Sequence, residues 1–170
     1  YKRQVVKRIK RYKPVFNASG GGLTLSGGEA LFQIAFTRRL LKEVHDAGIH
    51  TTIDTSGYLG SRVRDEDMDN IDLVLLDVKA GDEETYKEVT RRELQPTIDF
   101  GDRLNAIGKP VWIRFVVVPD LTDSPENVAN VVKIVSRWKS NVERVEVLPF
   151  HNMGADLSLI HISEPTRLGM

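Results

Sequence analysis

Cysteine is absent from all 170 residues, which removes disulfide cross-links and thiolate metal ligands from what this stretch of chain can do. Charge of one sign is lacking too. The 24 Lys and Arg balance 24 Asp and Glu, so no net field selects a nucleic acid or an anionic membrane as the main partner. Specificity must come from local sites. No apolar run approaches the roughly 20 residues of a membrane-spanning helix. The opening Tyr1-Lys2-Arg3-Gln4 has no secretory character either, so the expected setting is cytoplasmic. Two phosphate signatures are missing as well: Gly-x-x-x-x-Gly-Lys-Ser/Thr, and Gly-x-Gly-x-x-Gly with an acid about 20 residues on. Nucleoside triphosphates and NAD are therefore unsupported as ligands.

What is present suits one sizeable core, since 41% of the residues are apolar. Val5, Val6, Ile9 and Tyr12 form one stripe of an amphipathic helix over residues 2–12, with basic residues opposite. A solvated surface is the plainer reading of that basic face. Gly20-Gly21-Gly22 ends a loop and Leu23-Thr24-Leu25 is a short strand. Ser26-Gly27-Gly28-Glu29 then turns into a helix over 30–47, stopped by Gly48. Strands follow at 50–53, 71–76, 110–119 and 142–148, with helical stretches near 61–68, 82–89, 94–107 and 123–138 between them. Alternation of this kind predicts βα repetition and a parallel sheet or barrel. Because the chain opens without Met, inside a helix, the amino end reads as a truncation. Residues 157–170 read as a non-native tail like translated sequencing-adapter read-through, which leaves residues 1–156 as an incomplete barrel domain.

The polar residues gather at strand ends: Ser26 to Glu29, Asp54 to Gly57, Asp77 to Lys79, Arg114, and His151 with Asn152. In parallel α/β folds the carboxyl ends of the strands are where ligands bind. Any one of these groups could serve only a turn or a surface; five in register are harder to dismiss. Gly27 and Gly28 allow a ligand close to the backbone, and Glu29 adds a negative charge there. Lys79 suits a carboxylate, while Asp54 and Asp77 offer two hard oxygen ligands on neighbouring strands. A zwitterionic amino-acid group fits the set.

Four separated stretches, Asn17 to Glu29, Leu76 to Lys79, Trp112 to Pro119 and Leu148 to His151, together resemble the activating enzymes of glycyl-radical proteins, in the radical S-adenosylmethionine superfamily. The resemblance implies a partial (β/α)6 TIM-like barrel, here with its first strand missing, that holds S-adenosylmethionine against a [4Fe-4S] cluster. It implies cleavage of the sulfonium to a 5′-deoxyadenosyl radical, which takes hydrogen from a glycine of a partner enzyme, with pyruvate formate-lyase favoured and an electron donor such as flavodoxin. By the same resemblance Gly27, Gly28 and Glu29 meet the methionyl amino group, and Asp77, Val78, Lys79 and His151 contact the cofactor's amino-acid end. A monovalent cation falls on Asp54, Thr55, Asp77 and the Leu75 carbonyl, and Arg114 lies near the substrate peptide. The family's Cys-x-x-x-Cys-x-x-Cys is not in this sequence, so the piece is expected to be inactive by itself. Three other readings stay open: an activase of another glycyl-radical enzyme, a cluster-free barrel aldolase or isomerase using Lys79 as a Schiff-base amine with Asp77 or Asp54 as acid/base, and a non-catalytic binding module.

Overall fold

The computed structural model describes residues 2–150, with side chains from residue 4 onward. His151, Asn152 and the expected tail at 157–170 lie outside the described residues. Two helices, α1 (Lys2–Arg11) and α2 (Lys13–Ser19), precede the first strand, β1 (Gly22–Leu25). Then come α3 (Ile34–His45), β2 (His50–Thr55), a 3₁₀ turn at Gly60–Arg62, the single turn α4 (Asp65–Met68) and β3 (Leu73–Asp77). The remainder is α5 (Glu83–Thr90), α6 (Gln95–Ala106), β4 (Val111–Val117), α7 (Pro125–Ser136) and β5 (Val142–Pro149).

The five strands form one sheet in the order β1-β2-β3-β4-β5, and every pair is parallel. Strands in sequence order, with helices between them, give the open barrel-like arrangement expected. One face of the sheet is apolar. Ile53, Val74, Leu76 and Ile113 are fully buried there, in a core shared with Tyr86, Ile98, Phe100, Leu104, Ile134 and Trp138 from α5, α6, α7 and the turn after α7. A smaller core joins Val6 of α1 to Leu40 and Val44 of α3 and to Ile49. The opposite face carries the polar alternates of the same strands, as a pleated strand requires.

Four expectations shift. The helix after the glycine turn begins at Ile34 rather than at residue 30, because residues 30–33 form turns and the Glu29 carboxylate takes the Leu31 N–H at 3.0 Å. Lys13-Pro14 opens a separate helix in place of loop, with Pro in its first turn, where a missing N–H costs nothing. Tyr12 leaves the α1 stripe, since the helix ends at Arg11; its ring is half exposed and sits 6.4 Å from that of Phe16. The helical stretch near 61–68 shortens to the 3₁₀ turn and α4.

Candidate functional site

At the carboxyl ends of β1, β2 and β3 lies a cleft of about 690 Å³, lined by Ser26 to Glu29, Asp54 to Ser56, Asp77 and Lys79, with Phe32, Tyr58, Arg62 and Arg92 on its outer side. Gly27 and Gly28 take φ values of 97° and 51°, a left-handed backbone that favours glycine. A Cβ at either would meet no atom within 4 Å. Conformation, not crowding, therefore calls for glycine here, and the space over the turn is clear.

The turn is tied to β2. Glu29 Oε1 accepts from Thr55 Oγ1 at 2.6 Å and from the Leu31 N–H at 3.0 Å, while Oε2 accepts from the Ser56 N–H at 3.1 Å and Ser56 Oγ at 2.8 Å. Deeper on the concave face, Asp54 Oδ2 accepts from Arg114 Nη1 at 2.9 Å and from Ser26 Oγ at 2.9 Å. Lys79 Nζ donates to Asp77 Oδ2 at 2.6 Å. Register places Asp77, Arg114 and Glu146 side by side across β3, β4 and β5, with Arg114 Nε 3.9 Å from Asp77 and 4.0 Å from Glu146.

The structure thus brings Gly27, Gly28, Glu29, Asp54, Thr55, Asp77 and Lys79 to one cleft, and joins Arg114 to it through the two aspartates. Two expected residues send their side chains elsewhere. Val78 is fully buried in the core and its N–H donates to the Arg114 carbonyl at 3.0 Å, so its side chain takes no part in the cleft. The Leu75 side chain faces a second cavity at the opposite mouth of the sheet, beside Thr52 and Trp112. His151 lies outside the described residues. Residues that strand-end reading passed over are Glu146, Ser56 as a ligand of Glu29, and the outer rim, where Arg92 stacks over Tyr58 at 5.2 Å and Arg62 donates to the Phe32 carbonyl at 3.4 Å. The alternation Val145-Glu146-Val147 was the available sign for Glu146, since it puts the acid on the concave face.

The Schiff-base alternative loses support from this geometry. An ammonium held against Asp77 directs an N–H, not a lone pair, and a nucleophilic lysine needs the lone pair free.

The fold and this site define a class. The family description of the radical SAM superfamily matches residues 1–132, and the chain belongs to that family. Within it, the chain is 45% identical over 151 residues to the pyruvate formate-lyase-activating enzyme of Clostridium pasteurianum, covering 89% of this chain and 63% of that protein. It is 39% identical to the enzyme of the same name from Staphylococcus epidermidis, over 89% of this chain and 62% of that one. The chain therefore spans somewhat under two thirds of these relatives. Among solved structures, a domain of the pyruvate-formate lyase-activating enzyme of Bacteroides vulgatus superimposes with a TM-score of 0.68 at 23% identity, over 84% of this chain and 92% of that domain. Streptococcus suis SuiB bound to S-adenosylmethionine gives 0.65 at 20% identity, over 92% of this chain and 37% of that one. These two likenesses concern the fold.

The family implies S-adenosylmethionine and a [4Fe-4S] cluster, and the two fit this chain differently. The open glycine turn beside the Asp77 and Lys79 pair has the donors and acceptors that an amino-acid zwitterion needs. The cluster finds no thiolate among 170 residues that include no Cys, and no group of three His, Cys, Asp or Glu among the described residues could hold a metal ion. Among the described residues no helix is long and apolar enough to cross a membrane.

Proposed function

We propose that this chain forms the S-adenosylmethionine-holding part of a cytoplasmic activase that installs a glycyl radical on pyruvate formate-lyase. The observation that carries the reading is the convergence, in one cleft, of the bare Gly27-Gly28 turn with the ends of β2 and β3. Carbonyls of the turn and the Asp77 carboxylate take the ligand's ammonium, and Lys79 takes its carboxylate. The family resemblance assigns His151 to the same end of the ligand. When bound beside a reduced cluster, S-adenosylmethionine supplies one-electron cleavage of its sulfonium and hence hydrogen-atom abstraction. Cluster ligation falls to residues not in this sequence, with an electron donor such as flavodoxin as a further partner.

Arg114 stands on the concave face between Asp54, Asp77 and Glu146 and orients the incoming polypeptide by hydrogen bonds from its planar guanidinium. The monovalent cation belongs to the same reading, on Asp54, Thr55, Asp77 and the Leu75 carbonyl. Arg114 bridges the same two aspartates, so cation and guanidinium share the task of neutralising them.

The test is calorimetric titration of S-adenosylmethionine onto this chain and onto a longer chain carrying the three-cysteine motif. Binding by both, tighter in the longer one, and weakened about tenfold or more by Asp77→Ala or Lys79→Ala, is the expected result. Failure of both chains to bind, or borohydride trapping of a carbonyl compound on Lys79, would overturn it.

A further inference from the structure

Glu29 is the acid of the glycine turn, and the plain expectation is that its charge meets the ligand's ammonium. Its surroundings say otherwise. An ionised carboxylate offers about four lone-pair sites, and the four donors already named use them: Leu31 N and Thr55 Oγ1 on Oε1, Ser56 N and Ser56 Oγ on Oε2. An ammonium could join only by displacing one of these donors.

Ser56 supplies two of the four, and it is fixed from beneath. Its carbonyl accepts from Thr97 Oγ1 at 2.8 Å, and the same Thr97 oxygen lies 2.8 Å from the Tyr86 hydroxyl. Thr97 has one hydroxyl proton and spends it on Ser56, so Tyr86 must be the donor to Thr97. Thr97 is fully buried and Tyr86 is 1% exposed. Burial pushes the Tyr86 phenol up from its ordinary value despite the Thr97 hydrogen bond, which keeps the donated proton in place. The result is one directed column: Tyr86 on α5, Thr97 on α6, Ser56 after β2, then Glu29 on the turn after β1.

We propose that Ser56 is a positioning residue for the ligand turn: it anchors the Glu29 carboxylate, and Glu29 acts on the ligand through the backbone of Gly27 and Gly28 without binding it. This rests on the functional reading above, in that the ligand is an amino-acid zwitterion held by that turn.

Two measurements on the 170-residue chain test it, hydrogen exchange of the amides at 26–31 and calorimetric binding of S-adenosylmethionine. Ser56→Ala is expected to speed exchange at Leu31, whose N–H the Glu29 carboxylate holds, and to weaken binding about tenfold, with Ser56→Thr restoring both. Combined with Glu29→Gln, Ser56→Ala should add almost nothing, because both break one coupling. If Glu29 were a direct ligand, Ser56→Ala would free one lone-pair site on Oε2, and binding would hold or tighten. That result, or unchanged exchange in Ser56→Ala, overturns the inference. Absence of binding by every form counts against the functional reading alone; exchange then decides, with equal protection in Ser56→Ala and the parent overturning the inference.

Discussion

The two faces of one sheet are built on opposite rules by alternate residues of the same strands. Toward the helices, Ile53, Val74, Leu76 and Ile113 have no exposed surface. On the concave side, their immediate neighbours Asp54, Asp77 and Arg114 keep 16%, 19% and 27% of their side-chain surface and neutralise one another. Stability is concentrated on one face and chemistry on the other, so a one-residue step along a strand should change which property a substitution damages.

The largest effect should follow a cut into the apolar face. Ile113→Ala is expected to cost about 2–5 kcal/mol in denaturant unfolding, the usual range for a buried Ile cut back to Ala. Its neighbour Arg114→Met should cost about 1 kcal/mol while weakening any ligand of the concave face; equal losses at the two positions would erase the distinction between faces.

Next comes a clamp that belongs to neither face. Asp67 accepts from Arg38 Nε at 2.7 and 2.8 Å and from the Arg64 N–H at 3.0 Å. Burial would raise this carboxyl, but the hydrogen bonds from Arg64 and Arg38 outweigh it and hold it below its ordinary value of 3.8. A depressed carboxyl contributes stability that is complete above about pH 4 and is lost as pH falls through the folded-state value. Asp67→Asn should therefore cost about 2 kcal/mol at pH 7 and flatten the acid limb of the stability profile, measured by urea midpoints from pH 7 to pH 2. A parallel profile for parent and variant would remove Asp67 from acid unfolding.

The smallest effect is expected where the apolar face runs out. Val147 on β5 continues the helix-side row opposite Phe115, yet it is 62% exposed where Phe115 is 3%. Val147→Ser should move stability by no more than about 0.5 kcal/mol. A loss like that of Ile113→Ala would extend the buried face to the last strand.

Much of this contrast was legible beforehand. Ile71 to Leu76, a nearly continuous apolar run, reads as a strand buried on both faces, whereas its Leu75 side is only partly buried; Asp77-Val78-Lys79 marks its ligand end, because polar caps are local signals. What stayed hidden was coupling across distance. Glu29 and Ser56 are 27 residues apart, and nothing in either neighbourhood announces that one saturates the other. Glu29 showed a charge, and only its hydrogen-bond partners reveal that the charge is spoken for. The helix onset failed for the same reason: Ala30 to Gln33 have good helix formers among them, but side-chain capture of the Leu31 N–H competes with the first turn.

The strand order has a consequence for how such a chain comes into being. Among the described residues each strand pairs only with those just before and just after it in sequence, so during synthesis from the amino end none of these strands must wait for a distant partner still inside the ribosome. β2 finds β1 already made, β3 finds β2, and the sheet lengthens by one βα unit at a time. Pairings of this short span close small loops at small entropic cost. The open edge advances with the growing chain and is covered by the next unit.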